Sequence, residues 1–381
     1  MKIVFAPDSF KGSLSSIEVI NILEKTSKKI FPDCKTVSIP IADGGEGTVD
    51  AYIKCFGGDI EYLKVNNPLY NYVLAKYGAI DKDTIVLEMA QASGLTLLKN
   101  NERMPLYTTT YGTGELIDYS LEGGYKKIII GIGGSATNGG GTGAMQALGV
   151  RILDKRGTEL EGIGKNLIDI VDIDISNLNK NVSKAEIQII CDVKNPFTGK
   201  DGATYTYAYQ KGASEKDIEL LEAGMINYQN IIKKNFGIDL SKVKGSGAAG
   251  GLGGSLYAFL GAKLNSGIDI MLDAVNFDML IEDADIVITG EGKLDKQSSF
   301  GKVISGVGKR CKNKNIPVLA IVGGMEDGWK EIYKYGISSV FSTVNGIMTL
   351  EDACENSKKL LFEASERMFR ILKIGNNIKD K

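Results

Sequence analysis

Four apolar runs in this chain lead directly into carboxylates. Lys2–Ala6 runs into Pro7-Asp8-Ser9-Phe10-Lys11, and Thr36–Ile41 into Ala42-Asp43-Gly44-Gly45-Glu46-Gly47-Thr48. Glu186–Cys191 runs into Asp192-Val193-Lys194-Asn195-Pro196, and Ile286–Thr289 into Gly290-Glu291-Gly292-Lys293-Leu294-Asp295. A fifth run, Ile128–Ile130, opens a loop with seven glycines between Gly131 and Gly143, interleaved with Ser135, Thr137, Asn138 and Thr142. Glycines let backbone N–H groups approach an anion closely, and a following helix N-terminus adds partial positive charge. Carboxylates beside such a loop can take a proton or hold a hard cation, and Lys11, Lys211 and Lys293 can neutralise phosphate or carboxylate. Together these residues point to a phosphorylated ligand.

Each group also has a plainer reading. Asp8, Ser9 and Ser13 could cap the helix that follows, and Asp43-Gly44-Gly45 could be a turn ahead of a helix. Asp192 could open the loop to Asn195-Pro196, and Ser214 caps the long helix after it. Gly245–Gly254 is equally a close-packing segment or a phosphate loop.

The chain contains no histidine. This excludes Ser-His-Asp and Cys-His nucleophile systems, imidazole bases and histidine metal sites. Proton transfer falls to Asp, Glu, Lys, Tyr or Cys, and any divalent cation to oxygen ligands, which suits Mg²⁺ or Mn²⁺. The five cysteines are scattered and never spaced Cys-x-x-Cys, as expected for reduced thiols in a cytoplasmic protein. The N-terminal apolar run is too short for a signal peptide, and no stretch reaches the length of a membrane helix. A net charge of −2 gives no general affinity for nucleic acid or an anionic membrane.

The elements that must position these residues alternate. Strands are expected at Lys2–Ala6, Thr36–Ile41, Thr84–Met89, Lys127–Ile132, Glu186–Cys191, Ile286–Thr289, Val318–Val322 and Ser339–Ser342. Helices are expected at Ser15–Lys29, Glu46–Phe56, Glu115–Glu122, Gly139–Leu148, Ser214–Lys234, Gly250–Leu264, Gly301–Cys311, Glu326–Tyr335 and Glu351–Leu372. This is the pattern of parallel α/β sheets, whose ligands bind outside the carboxyl ends of strands. Glu61–Lys82 reads instead as short antiparallel strands. At 381 residues the chain exceeds a single core. The expected architecture is two α/β domains, one a doubly wound Rossmann- or flavodoxin-like sheet, with the active site in the cleft between them. Residues 1–62 with 283–381 would form the first, and 63–282, carrying the glycine-rich loops, the second.

Gly131-x-Gly133-x-x-Ala136 fits the dinucleotide fingerprint, and Asp154 follows at the spacing of a ribose-binding acid. An NAD(P)-dependent oxidoreductase acting on a small hydroxy acid is therefore the alternative. Against it, the loop is too long for the tight turn of that fold. Walker and protein-kinase motifs are absent.

Across these segments the sequence resembles the bacterial glycerate kinase family, the type with a two-domain α/β fold unrelated to P-loop kinases. The resemblance rests on Ala6–Lys11, Ala42–Thr48, Gly131–Asn138, Cys191-Asp192, Asn195-Pro196, Gln210–Ser214, Gly247–Gly251 and Thr289–Gly292 with Asp295, in the family's order. Two positions depart from it: Gly139 where Asp is common, and Lys293 where Arg is common. The resemblance implies transfer of the γ-phosphoryl group of ATP to D-glycerate, at the 2-hydroxyl, with Mg²⁺. Asp192 would take the hydroxyl proton. Asp8, Ser9, Lys11, Asn195, Lys211, Glu291 and Lys293 would meet substrate or phosphate. Gly133, Gly134, Ser135, Ala136, Thr137 and Asn138 would hold ATP, and Asp43 and Glu46 the metal. The partner is a small-molecule substrate, with a homodimer the candidate assembly.

Overall fold

A computed structural model describes residues 1–10, 12–41, 44–294 and 303–379. In chain order the strands are β1 (Lys2–Phe5), β2 (Lys35–Ser38), β3 (Asp59–Asn66), β4 (Tyr72–Ala79), β5 (Thr84–Glu88), β6 (Lys127–Gly131) and β7 (Arg151–Leu153). They continue with β8 (Asp172–Asp174), β9 (Glu186–Ile190), β10 (Lys263–Asn265), β11 (Ile286–Leu294), β12 (Val318–Met325) and β13 (Ser339–Ser342).

The chain divides into one unit of Met1–Asp43 with Ile268–Lys381 and another of Gly44–Gly267. These borders differ from 62/63 and 282/283, for reasons of pairing. β3 lies antiparallel to β4 from Asp59 to Asn66, and the helix Thr48–Phe56 packs on β4 and β5. Residues 44–62 therefore belong to the second sheet. On the other side, a Cβ on Gly306 would come within 2.5 Å of Ile268 Cγ1, so the helix Gly267–Ala274 lies against the helix Val303–Asn313.

In the first unit the sheet order is β13-β12-β11-β1-β2, all parallel. Counted along the unit this is the flavodoxin-like order 2-1-3-4-5, with its switch point between β1 and β11. Apolar stretches such as Ile3–Phe5 and Val318–Val322 are buried, as a parallel sheet covered on both faces requires. The helix Ser16–Ile30 begins with a capping box in which Ser15 and Glu18 exchange bonds. Asp8, Ser9 and Ser13 are therefore not its caps. Residues 351–372 do not form one helix. The chain forms Leu350–Glu355, breaks at Asn356, and resumes as Ser357–Lys379. Trp329–Tyr335 is a 3₁₀ turn instead of the expected α-helix.

The second unit carries the sheet β10-β9-β6-β5-β4-β3. β5, β6, β9 and β10 run parallel; β4 and β3 complete it as an antiparallel hairpin. The helix expected to reach Leu264 ends at Leu260. Gly261 adopts φ +64° as its left-handed cap, and the chain becomes β10 beside β9. The core gathers Ile85, Leu87, Ile128, Ile130, Ile187 and Ile189 from the strands with Leu116, Met225, Tyr228 and Leu252 from the helices. β7 and β8 form a separate two-stranded sheet.

Candidate active site

The parallel strands of the second unit bring Glu88, Gly131 and Ile190 to one edge of the sheet, where β5, β6 and β9 end. The glycine loop leaves β6 at this edge and meets the Gly44–Gly47 loop. Gly133 N–H donates to Gly44 O at 3.0 Å. A Cβ on Gly131 would approach Gly44 O to 2.5 Å, and one on Gly133 would approach Gly45 Cα to 2.9 Å. Both positions need glycine because two backbones touch there. Gly44 itself has φ +85° and lies against Ile190.

Other segments fix the rest of the loop. Ala136 N–H donates to Ser93 O, Leu95 N–H to Gly134 O, and Gly140 N–H to Gly250 O. The amides of Gly133 and Ala136 are thus committed within the protein. Within 133–138, Gly134, Ser135, Thr137 and Asn138 are the residues whose amides donate to no backbone carbonyl among the described residues. Gly250, φ +66°, packs its α-carbon against Thr137 O, and Gly247 against Pro196 O. The Gly245–Gly254 segment is therefore a close-packed buttress behind the first loop.

Lys211 joins that loop from the side. Its ammonium donates to Ser135 Oγ and to Thr137 O, both at 2.7 Å, and the residue is only 2% exposed. Burial lowers its pKa from 10.5 to about 7. Ser214, three residues on, caps the helix Glu215–Phe236 in a capping box with Asp217. Lys211 is thus held one turn ahead of a long helix. Asn138 is buried and donates through Nδ2 to Thr204 Oγ1 at 3.1 Å. Thr137 Oγ1 and Asn138 Oδ1 are buried without a hydrogen-bond partner. Such atoms are costly unless a ligand satisfies them. A ligand bearing phosphate oxygens and hydroxyls fits that need.

Asp192 stands at the carboxyl end of β9. Its Oδ1 accepts from Gly267 N–H at 3.0 Å and Ser266 Oγ at 3.3 Å, both from the exit of β10. The side chain of Asn195 is occupied inside its own loop. It donates to Asp201 O at 2.7 Å and accepts from Tyr207 OH at 2.7 Å. Asn195 shapes the loop after Asp192. Glu46 is exposed on the Gly44–Gly47 loop.

In the first unit, Asp8 and Glu291 are buried near the carboxyl ends of β1 and β11, beside the switch point. Asp8 N–H donates to Gly290 O at 2.8 Å, and Asp8 Oδ1 accepts from Ser9 N–H at 2.7 Å. Lys293 pairs with Glu326, just past the end of β12, at 2.7 Å, both well exposed. Lys11, Asp43 and Asp295 lie outside the described residues.

Two residues escaped the sequence reading. Glu88, 1% exposed at the end of β5, accepts from Val49 N–H at 2.7 Å and Gln91 Nε2 at 3.1 Å. It anchors the helix that follows the Gly44–Gly47 loop, and burial raises its carboxyl pKa against the opposing pull of the Val49 amide. The strand-end rule that selected Asp192 would have found it. Arg103 lies in the irregular segment before Pro105 and has a buried Nε without a partner; no periodicity marks it.

The dinucleotide reading fails on topology. β7, which leads to Asp154, pairs with β8 in a separate sheet, whereas β6 is flanked by β5 and β9. Asp154 Oδ1 accepts from the Arg156 and Thr158 amides, each at 2.8 Å, as a surface-turn residue.

Comparison with known proteins identifies the family of this chain. The model of the glycerate kinase family matches residues 3–373. Glycerate 2-kinase of Escherichia coli is 46% identical over 98% of this chain and 99% of its own. Glycerate kinase of Halalkalibacterium halodurans is 42% identical over 96% and 97%. A crystal structure from Salmonella typhimurium LT2 carried under the name glycerate kinase 2 superposes with a TM-score of 0.87, at 43% identity over 99% of both chains.

Proposed function

This chain belongs to the glycerate kinase family, and from that premise we propose that it phosphorylates D-glycerate at the 2-hydroxyl, giving 2-phosphoglycerate. It is an ATP-dependent small-molecule kinase; the regiochemistry and the residue roles are the reading offered here. The observation that carries it is Lys211, an amine buried in the glycine loop on the sheet edge where β9 delivers Asp192. Phosphoryl transfer needs charge neutralisation, positioning and a group to accept the hydroxyl proton. Lys211 and the amides of Gly134, Ser135, Thr137 and Asn138 supply the first two. Asp192, oriented through Oδ1 by Gly267 and Ser266, supplies the third. Asp8, Ser9 and Glu291 are the residues proposed to meet substrate in the first unit. Glu46 with Asp43 would hold Mg²⁺, which neutralises charge on the transferring phosphoryl group.

The test is ADP release from ATP-Mg with D-glycerate, L-glycerate or no acceptor, with the product identified by ³¹P NMR. D-glycerate-dependent ADP with 2-phosphoglycerate supports the reading. The 3-phospho isomer would overturn the regiochemistry, and no release above background the substrate.

No helix among the described residues is long and apolar enough to cross a membrane. The five cysteines are free thiols, which supports a reducing, cytoplasmic setting. A homodimer is proposed through the β3–β4 hairpin, whose one face exposes Ile60 and Tyr62 on the edge strand β3 and Tyr72 and Leu74 on β4 beside it. Sedimentation velocity of the protein and its Leu74→Glu variant checks this: dimer becoming monomer is expected, and a wild-type monomer overturns it.

A further inference from the structure

Lys211 is not the only cation in its neighbourhood without a counter-charge. Gly212, the next residue, has φ +93°, and a Cβ there would run into Arg103 O and approach Arg103 Cβ to 3.0 Å. Arg103 and Lys211 therefore sit on two segments in backbone contact. Arg103 Nε is buried without a hydrogen-bond partner, and among the described residues its guanidinium makes no ion pair. The adjacent acid, Glu102, is turned away and accepts from the Lys99 amide at 2.8 Å. Among the described residues Lys211 reaches neutral oxygens, Ser135 Oγ and Thr137 O. A buried guanidinium N–H with no acceptor is unfavourable. The arrangement becomes favourable when an oxyanion enters, and the planar guanidinium fork suits one whose two oxygens lie side by side.

We infer that Arg103 is a specificity-determining residue that, with Lys211, binds an oxyanion of the substrates, either the carboxylate of the hydroxy acid or a phosphate of the nucleotide. This rests on the kinase reading above and adds a residue to it. The fork chemistry is shared by both sources, so the experiment separates them. Steady-state kinetics of the full-length protein with Arg103→Lys and Arg103→Ala, varying D-glycerate and ATP in turn, gives the readout. Loss of a charge-assisted hydrogen bond predicts a rise in one KM of on the order of 10-fold or more, with the other nearly unchanged. A selective rise for D-glycerate assigns the carboxylate, and a selective rise for ATP the phosphate. Added guanidinium should partly restore Arg103→Ala. Both KM values unchanged, or both moving together, would overturn the inference while leaving the kinase reading intact. If Arg103→Ala does not fold, Arg103→Lys alone decides by the same criterion. Absence of D-glycerate-dependent turnover in the wild type would overturn the kinase reading and this inference with it.

Discussion

At Lys211 an amine is enclosed by oxygens that, among the described residues, are uncharged, and the consequence is a proton equilibrium near neutrality. The unfolded chain holds that proton up to pH 10.5, whereas the folded one releases it from about pH 7. The burial cost is thus fully present below pH 7 and fades as pH rises toward 10.5, so this group makes stability increase with pH across that window. Lys211→Met should flatten the slope, as read from thermal denaturation between pH 6 and pH 10. A phosphate or carboxylate bound at this amine favours the charged form. Binding at pH 8 should therefore take up close to ~1 proton and at pH 6 nearly none, measured by calorimetry in buffers of different ionisation enthalpy. Asp192 acts by geometry. In the role proposed for it, Asp192→Asn keeps an oxygen for the Gly267 amide but removes the proposed base, so turnover should fall by at least roughly 10²-fold with the melting temperature retained. Both residues were legible in the sequence because each follows or precedes a clean element boundary. The loop bonds of Asn195 were not readable, because its partners, Asp201, Thr206 and Tyr207, come together only once the loop has closed. Arg103 was invisible because its meaning depends on Gly212, far along the chain.

Among the elements, the parallel strands were the most legible, since buried β-branched runs have few alternatives. What the sequence concealed lies at their ends. The glycine loop reads as an anion cradle, yet two of its amides and several of its glycines serve backbone packing against the Gly44–Gly47 and Gly247–Gly251 loops. No local pattern separates a glycine needed by a ligand from one needed by a neighbouring strand exit. Gly44→Ala combines φ +85° with overlap against Ile190, and it should destabilise the protein by about 2 kcal/mol or more in urea titration. Gly134 has no such neighbour beyond Ala90 Cβ at 3.5 Å, yet its φ of +77° disfavours a side chain. Glu88→Gln keeps an acceptor for Val49 and should leave stability nearly unchanged, whereas Glu88→Ala orphans the buried Val49 amide and should cost about 1–3 kcal/mol in urea titration.

For the whole molecule, the alternation of strands and helices and the hairpin Glu61–Lys82 were readable, but the seams were not. Nothing in composition changes at Asp43 or Gly267, because the borders are set by which sheet a segment pairs with. The Gly44–Gly267 unit is one continuous segment with its own sheet and core. Produced alone, it should unfold as a single cooperative transition by circular dichroism. The other unit has no such independence in time. β1 and β2 are synthesised first, yet the register Ile3↔Ile286 shows that β1 must wait for β11 to cover its second edge. At ~5–20 residues per second, making the intervening segment takes roughly 10–45 s. Throughout that interval the nascent chain carries an apolar strand, Ile3–Phe5, with one flank open. The order of birth thus leaves an early-made strand waiting for a partner encoded far along the chain, and dependent on protection at the ribosome until that partner emerges.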